Sequence, residues 1–63
     1  DQLTGREIEV LKYLVSENSI SSIGQTLHIS KNTMKTHLRN IYRKLDVNGR
    51  GEAAKKAKEN FII

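Results

Sequence analysis

ISSIGQTLHISKNTMKTHLRNIYRKL, residues 20–45, holds two helical patterns joined by a corner around Leu27-His28-Ile29-Ser30. Ser19 is a good N-cap for the first pattern, a short helix over 20–27. Ser21, Ser22, Gly24 and Thr26 are poor helix formers, so only the i,i+4 pair Ile23 and Leu27 anchors that helix. Ser30 is the expected N-cap of the second helix, over 31–45, a rod about 22 Å long. Met34, Leu38, Ile41 and Leu45 make one apolar stripe on it, with Tyr42 beside them. Asn32, Lys35, Thr36, Arg39 and Arg43 spread over the other side. Two helices joined by so short a link have the layout of a helix-turn-helix, whose second helix enters a major groove. Gly24 then has a role, because a residue without a side chain permits close approach where the two helices cross.

Moving outward, Thr4-Gly5-Arg6-Glu7 has capping-box spacing and opens a helix over 5–16, with Ile8, Leu11, Leu14 and Val15 at helical intervals. Downstream, Asp46 to Gly51 is a turn containing Asn-Gly. A helix over 52–60 follows, with a small-residue face of Ala53, Ala54 and Ala57. That face serves either core packing or a dimer seam. Ala53 and Ala57 are expected inward, and Ala54 is the better dimer candidate. Phe61, Ile62 and Ile63 are expected to fold back onto the first helix. The fold class is therefore all-α, a single four-helix domain.

The chain has 63 residues and a formal net charge of +4. The core of a domain this small is thin, since it buries only about 60% of the surface its unfolded chain exposes. There is no cysteine, so no disulfide or zinc–thiolate staple, and no proline. No apolar run is long enough to span a bilayer. The positive charge is concentrated in residues 31–45, where Lys31, Lys35, Arg39, Arg43 and Lys44 have no acidic neighbour. A basic face on a rigid helix suits a polyanion.

Lys31 is locally misplaced, because a cation in the first turn opposes the helix macrodipole. A phosphate docked there would be favoured by both the amides and the ammonium; the alternative is a solvated lysine. Lys35 and Arg39 lie one turn apart, and either could donate to a guanine edge. Thr36 could donate a hydrogen bond, touch a thymine methyl, or act as a neutral spacer. His28 and His37 are the only histidines, and two histidines without cysteine make a poor metal site. His37 is expected at the edge of the core, bonded to backbone. Arg50, beside two glycines, either contacts phosphate or pins its turn to the first helix through Glu7 or Glu9, and the structural role is the expectation. No nucleophile, base and orienter can be assembled and no obvious pocket is expected, so catalysis is not anticipated. No metal, cofactor or small-molecule ligand is expected. A helical module whose basic face meets an acidic protein is the alternative to a DNA-binding domain. A membrane-surface role is disfavoured, because Met34, Leu38, Ile41 and Leu45 are needed in the core.

The segments Leu-Thr-Gly-Arg-Glu-Ile-Glu-Val-Leu (3–11), Leu-His-Ile-Ser (27–30) and Thr-Met-Lys-Thr-His-Leu-Arg-Asn-Ile-Tyr-Arg-Lys-Leu (33–45) occur in this order. Gly-Arg-Gly-Glu-Ala-Ala (49–54) is a looser match. Together they make the chain similar to the LuxR/NarL/GerE-type DNA-binding domain of bacterial transcription regulators. Residues 35–45 especially resemble the MalT-like branch of large activators. The resemblance implies double-stranded DNA as partner, with the 31–45 helix in the major groove. Lys35, Thr36 and Arg39 take the base-contact positions, and Lys31, Thr33 and Arg43 are the phosphate candidates. It also implies pairing of two domains through the 52–60 helix, with Ala54 and Lys58 at the seam. Because Lys55, Lys56 and Lys58 would repel their symmetry mates, the homodimer is expected to be weak and favoured on DNA. A cytoplasmic location on the bacterial nucleoid follows, and contact with RNA polymerase is left open. The start, DQLTGRE, reads as a cut at a domain edge, giving the expectation of a domain excised from the C-terminus of a larger regulator. Three departures stand out: a short link at Glu17-Asn18-Ser19, Ser22 in place of a capping glutamate, and Gly51 in place of a threonine or serine before the last helix.

Overall fold

The computed structural model describes residues 2–60, so the expected fold-back of Phe61, Ile62 and Ile63 lies outside it. Four helices follow in order: α1 Gly5–Val15, α2 Ile20–Leu27, α3 Lys31–Leu45 and α4 Arg50–Glu59. Among the described residues there is no strand. The capping box of α1 is complete. Glu7 N–H donates to Thr4 Oγ1 at 3.2 Å, and Thr4 N–H donates to Glu7 Oε1 at 2.9 Å. Ser19 and Ser30 cap α2 and α3 by accepting from Ser22 N–H at 3.1 Å and Thr33 N–H at 3.2 Å.

Helices α2 and α3 both stop in a left-handed residue, His28 (φ 57°) and Asp46 (φ 58°). In the first stop, Ile29 N–H donates to Gly24 O at 2.8 Å and His28 N–H to Gln25 O at 3.3 Å. In the second, Val47 N–H donates to Tyr42 O at 2.9 Å and Asp46 N–H to Arg43 O at 3.1 Å. This paired pattern is the Schellman motif, and it satisfies carbonyls that a helix end otherwise leaves open. The residues just beyond, Ile29 and Val47, pack against the core. A cap plus a Schellman stop thus builds the tight corner between α2 and α3.

The core is Val10, Leu11, Leu14, Ile23, Met34, Leu38, Ile41, Leu45, Ala53 and Ala57. It draws on all four helices. Ala53 and Ala57, both fully buried, let α4 approach α1 closely, and that is the most extensive helix pair. Ala54 is half-buried, outside this seam.

Three details depart from the sequence reading. Helix α1 ends at Val15, with Ser16 as its extended C-cap. Helix α4 begins at Arg50, two residues before the expected Glu52, and ends at Glu59. Its N-cap is Gly49, so Gly51 lies inside the helix and not before it. At this start Asn48 N–H donates to Glu52 Oε1 at 2.7 Å, while Arg50 Nε donates to Leu14 O at 3.2 Å and its Nη2 to Ser16 O at 2.8 Å. Arg50 does pin its segment to α1, but through carbonyls at the end of that helix and not through Glu7 or Glu9. A guanidinium there meets both the open carbonyls and the negative end of the macrodipole.

Candidate nucleic-acid interface

Helix α3 carries the candidate residues because its stripe of Met34, Leu38, Ile41 and Leu45 fixes its other side in the core. Lys31, Asn32, Thr33, Lys35, Thr36, Arg39 and Arg43 are all exposed. Asn32, Thr36, Arg39 and Arg43 follow at i, i+4, i+7 and i+11 and form one row along the helix. Lys31 and Lys35 form the neighbouring row, on the side facing α2. Arg43 closes the first row near the C-terminal end. Helix α3 thus brings the three expected base-contact residues, Lys35, Thr36 and Arg39, onto one surface, with Lys31 and Thr33 at one end and Arg43 at the other.

Hydrogen bonds orient the two threonines. Thr36 Oγ1 donates to Asn32 O at 3.3 Å, which leaves its lone pairs and methyl group free. Thr33 Oγ1 accepts from Ser30 Oγ at 2.9 Å, which leaves its own hydrogen available to an anion. Among the described residues no carboxylate pairs with Lys31, Lys35, Arg39 or Arg43; the two ion pairs are Arg6–Glu9 and Lys44–Glu7.

Lys44, the fifth cation of the segment, is not on this surface. Its Nζ donates to Glu7 Oε1 at 2.7 Å, with side chains only 12% and 4% exposed. Burial pushes the Glu7 carboxyl up, but the Lys44 and Thr4 hydrogen bonds and the Lys44 charge together outweigh it, and its pKa lies below the ordinary value. The sequence did carry a signal for this pair. Glu7 shares the i, i+4, i+7 stripe of Leu11 and Leu14, and Lys44 stands beside Leu45 and three residues from Ile41. Elsewhere, burial raises the pKa of the Tyr42 phenol, against the opposing charge of Arg50.

An open groove of about 960 Å³ runs between α2 and α3, contrary to the expectation of no pocket. Met34, Leu38 and Ile29 line it together with Ile20, Lys31 and Lys35. Gly24 lies on its wall, where a Cβ would meet Ile29 O at 3.1 Å. His28 is the left-handed cap at its edge, and His37 is half-buried on α3. The expected backbone bond of the His37 side chain is absent among the described residues. No three metal-ligating side chains cluster there either.

Residues 1–57 match the family model described as bacterial regulatory proteins, luxR family. The chain is 40% identical over 63 residues to the transcriptional regulatory protein LiaR of Bacillus subtilis, covering all of this chain and 30% of LiaR. It is 43% identical over 59 residues to the CsgBAC operon transcriptional regulatory protein of Escherichia coli, covering 94% and 27%. It is also 43% identical over 60 residues to the transcriptional regulator MalT of Vibrio campbellii, covering 95% and 6%. Among solved structures, the response regulator ChrA of a heme-sensing two-component system superposes with a TM-score of 0.94 at 40% identity. The match covers all of this chain and 31% of ChrA. The chain thus spans less than a third of each of these proteins. No described helix is long and apolar enough to cross a membrane. On the extent of the family match and the agreement of the four-helix fold, the chain belongs to the luxR family of bacterial regulatory proteins, as a helix-turn-helix domain for DNA-binding transcription regulation.

Proposed function

We propose that the chain binds double-stranded DNA sequence-specifically by laying α3 in the major groove. Lys35, Thr36 and Arg39 face the base edges, while Lys31, Thr33 and Arg43 hold phosphates on either side. One observation carries the reading: four cations with no carboxylate partner among the described residues share the exposed side of a helix whose opposite side is the domain core. Such a surface cannot adjust its register independently of the fold, so phosphate contacts at its ends would fix where the middle residues point.

In this reading the domain is the output domain of a larger regulator, acting on the bacterial nucleoid in the cytoplasm. Two copies pair through α4 with Ala54 and Lys58 at the seam, and contact with RNA polymerase belongs to the bound state.

Selection of preferred duplexes from a random pool tests the proposal. Wild type should enrich one sequence over bulk DNA. Arg39→Ala should weaken the best site by about 1–3 kcal/mol and flatten preference at one base pair. Equal binding of selected and random duplexes would overturn specific recognition. An unchanged preference in Arg39→Ala would remove Arg39 from base reading.

A further inference from the structure

We infer that Asn32 is a further specificity-determining residue, reading an adenine edge next to the base pair met by Thr36; this rests on the major-groove placement of α3. Asn32 is exposed in the first turn of α3 and leads the row that continues through Thr36 and Arg39. Residues near the N-terminus of a recognition helix are the ones that meet base edges. The Thr36 hydroxyl bonds to the Asn32 carbonyl at 3.3 Å, which places the two side chains on adjacent turns of one face. The carboxamide of Asn32 takes part in no hydrogen bond among the described residues, so its donor and acceptor are both available.

The residue type is locally costly, which argues for a purpose. Asparagine is a poor helix former, and the first turn of a helix favours a carboxylate. Here the first turn of α3 has no acidic residue. A carboxylate would repel the phosphates held by Lys31 and Thr33, whereas a neutral amide does not. The amide also presents one donor and one acceptor side by side, the pattern that pairs with adenine N6 and N7. Lysine and arginine in the neighbouring positions suit guanine and phosphate, so Asn32 adds a base type that they do not read.

Duplex selection with wild type, Asn32→Ala and Arg39→Ala, followed by titration of the best site and a random duplex, tests this. Asn32→Ala raises helix propensity, so a thermal melt at or above wild type is expected and misfolding does not confuse the result. The expected outcome is loss of an adenine preference at one position. Affinity for the best site should fall about 5- to 150-fold, with random DNA unaffected. A preference that survives in Asn32→Ala but changes in Arg39→Ala would overturn the role of Asn32 alone. Equal weakening of all duplexes by Asn32→Ala would make it a phosphate contact and also overturn the inference. Absence of any preference in wild type would overturn the major-groove reading and this one with it.

Discussion

Glu7 is 3% exposed, yet it sits in the first turn of a surface helix where a carboxylate would normally face water. Two demands meet there. Thr4 needs a partner for its N–H, and Lys44 needs a counter-charge where α3 packs on α1. Because the folded carboxyl has a lowered pKa, its contribution to stability is present above the unfolded value and is lost as pH falls through the folded one. Stability should therefore decline as the pH drops below about 4.3, the ordinary glutamate value, and part of that decline should vanish in Glu7→Gln. Lys44→Met removes the main opposing influences and leaves burial, so the Glu7 pKa should move upward in an NMR titration. A pKa that stays low in Lys44→Met would mean that the Thr4 bonds alone hold the charge. Gly24 poses a different residue-scale problem. A Cβ there would lie 3.1 Å from Ile29 O, which is held because Ile29 N–H bonds back to Gly24 O. Alanine gains about 1 kcal/mol of helix propensity but crowds a carbonyl that cannot swing away. Chemical denaturation should show Gly24→Ala destabilised by about 1 kcal/mol and Gly24→Leu by more, since overpacking alone costs about 1–3 kcal/mol. A more stable Gly24→Ala would show that the corner can relax.

Element boundaries divide into those written locally and those set from afar. Ser19, Ser30 and the Thr4–Glu7 pair act within three residues of themselves, so the starts of α1, α2 and α3 were legible in the sequence. The apolar stripe of α3 was equally legible, because Met34, Leu38, Ile41 and Leu45 keep one spacing throughout. The start of α4 was less so, because besides the local Asn48 N–H to Glu52 Oε1 bond at 2.7 Å it has contacts joining Arg50 to carbonyls 36 and 34 residues away. The same holds for Lys44, whose partner is 37 residues distant; local charge counting placed it with the other cations. The groove beside α3 was missed because Gly24 marks a close crossing but does not say which side stays open. The stops of α2 and α3 rest on His28 and Asp46 in the left-handed region, where a β-carbon costs roughly 1–2 kcal/mol unless a short polar side chain compensates. His28→Gly should therefore stabilise the domain by about 0.5–1 kcal/mol, roughly 2–8 °C in a melt of a domain this size. Asp46→Gly should gain less, since aspartate tolerates that conformation better. Equal gains at both positions would mean that side-chain identity at these stops is irrelevant.

At the scale of the molecule, the remaining question is how one small domain gains enough affinity to act. Its extents are 27 × 23 × 20 Å, so it can cover only one half-site. Pairing through α4 would double the contact, and the surface of that helix limits how strongly it can pair. Ala53 and Ala57 are spent on α1. Gly51, Ala54 and Lys58 lie at i, i+3 and i+7 and form the free row, with Lys55 exposed beside it. Lys55 and Lys56 both border the flank lined by Asp46, Val47, Glu52 and Glu59, and Lys56, half-buried and further from the row, adds little to repulsion across a seam. A ten-residue helix is only about 15 Å long, and a row of glycine, alanine and lysine falls well short of the roughly 1,000 Å² of a stable interface. Like charges at Lys58 and Lys55 brought together across a two-fold axis oppose it further, over a Debye length of about 8–10 Å. The domain is therefore expected to sediment as a monomer at micromolar concentration. On DNA, two copies held at adjacent half-sites meet at a much higher effective concentration, so even a weak seam becomes visible. Two half-sites one helical turn apart should bind cooperatively, and adding half a turn should abolish the effect by placing the copies on opposite faces of the duplex. Lys58→Ala should strengthen that cooperativity at low salt and change it little at high salt, because only the screened repulsion has been removed. Sedimentation of the free domain as a tight dimer would show that a larger apolar surface than the Ala54 row joins the copies, and cooperativity indifferent to spacing would show that α4 does not join them at all.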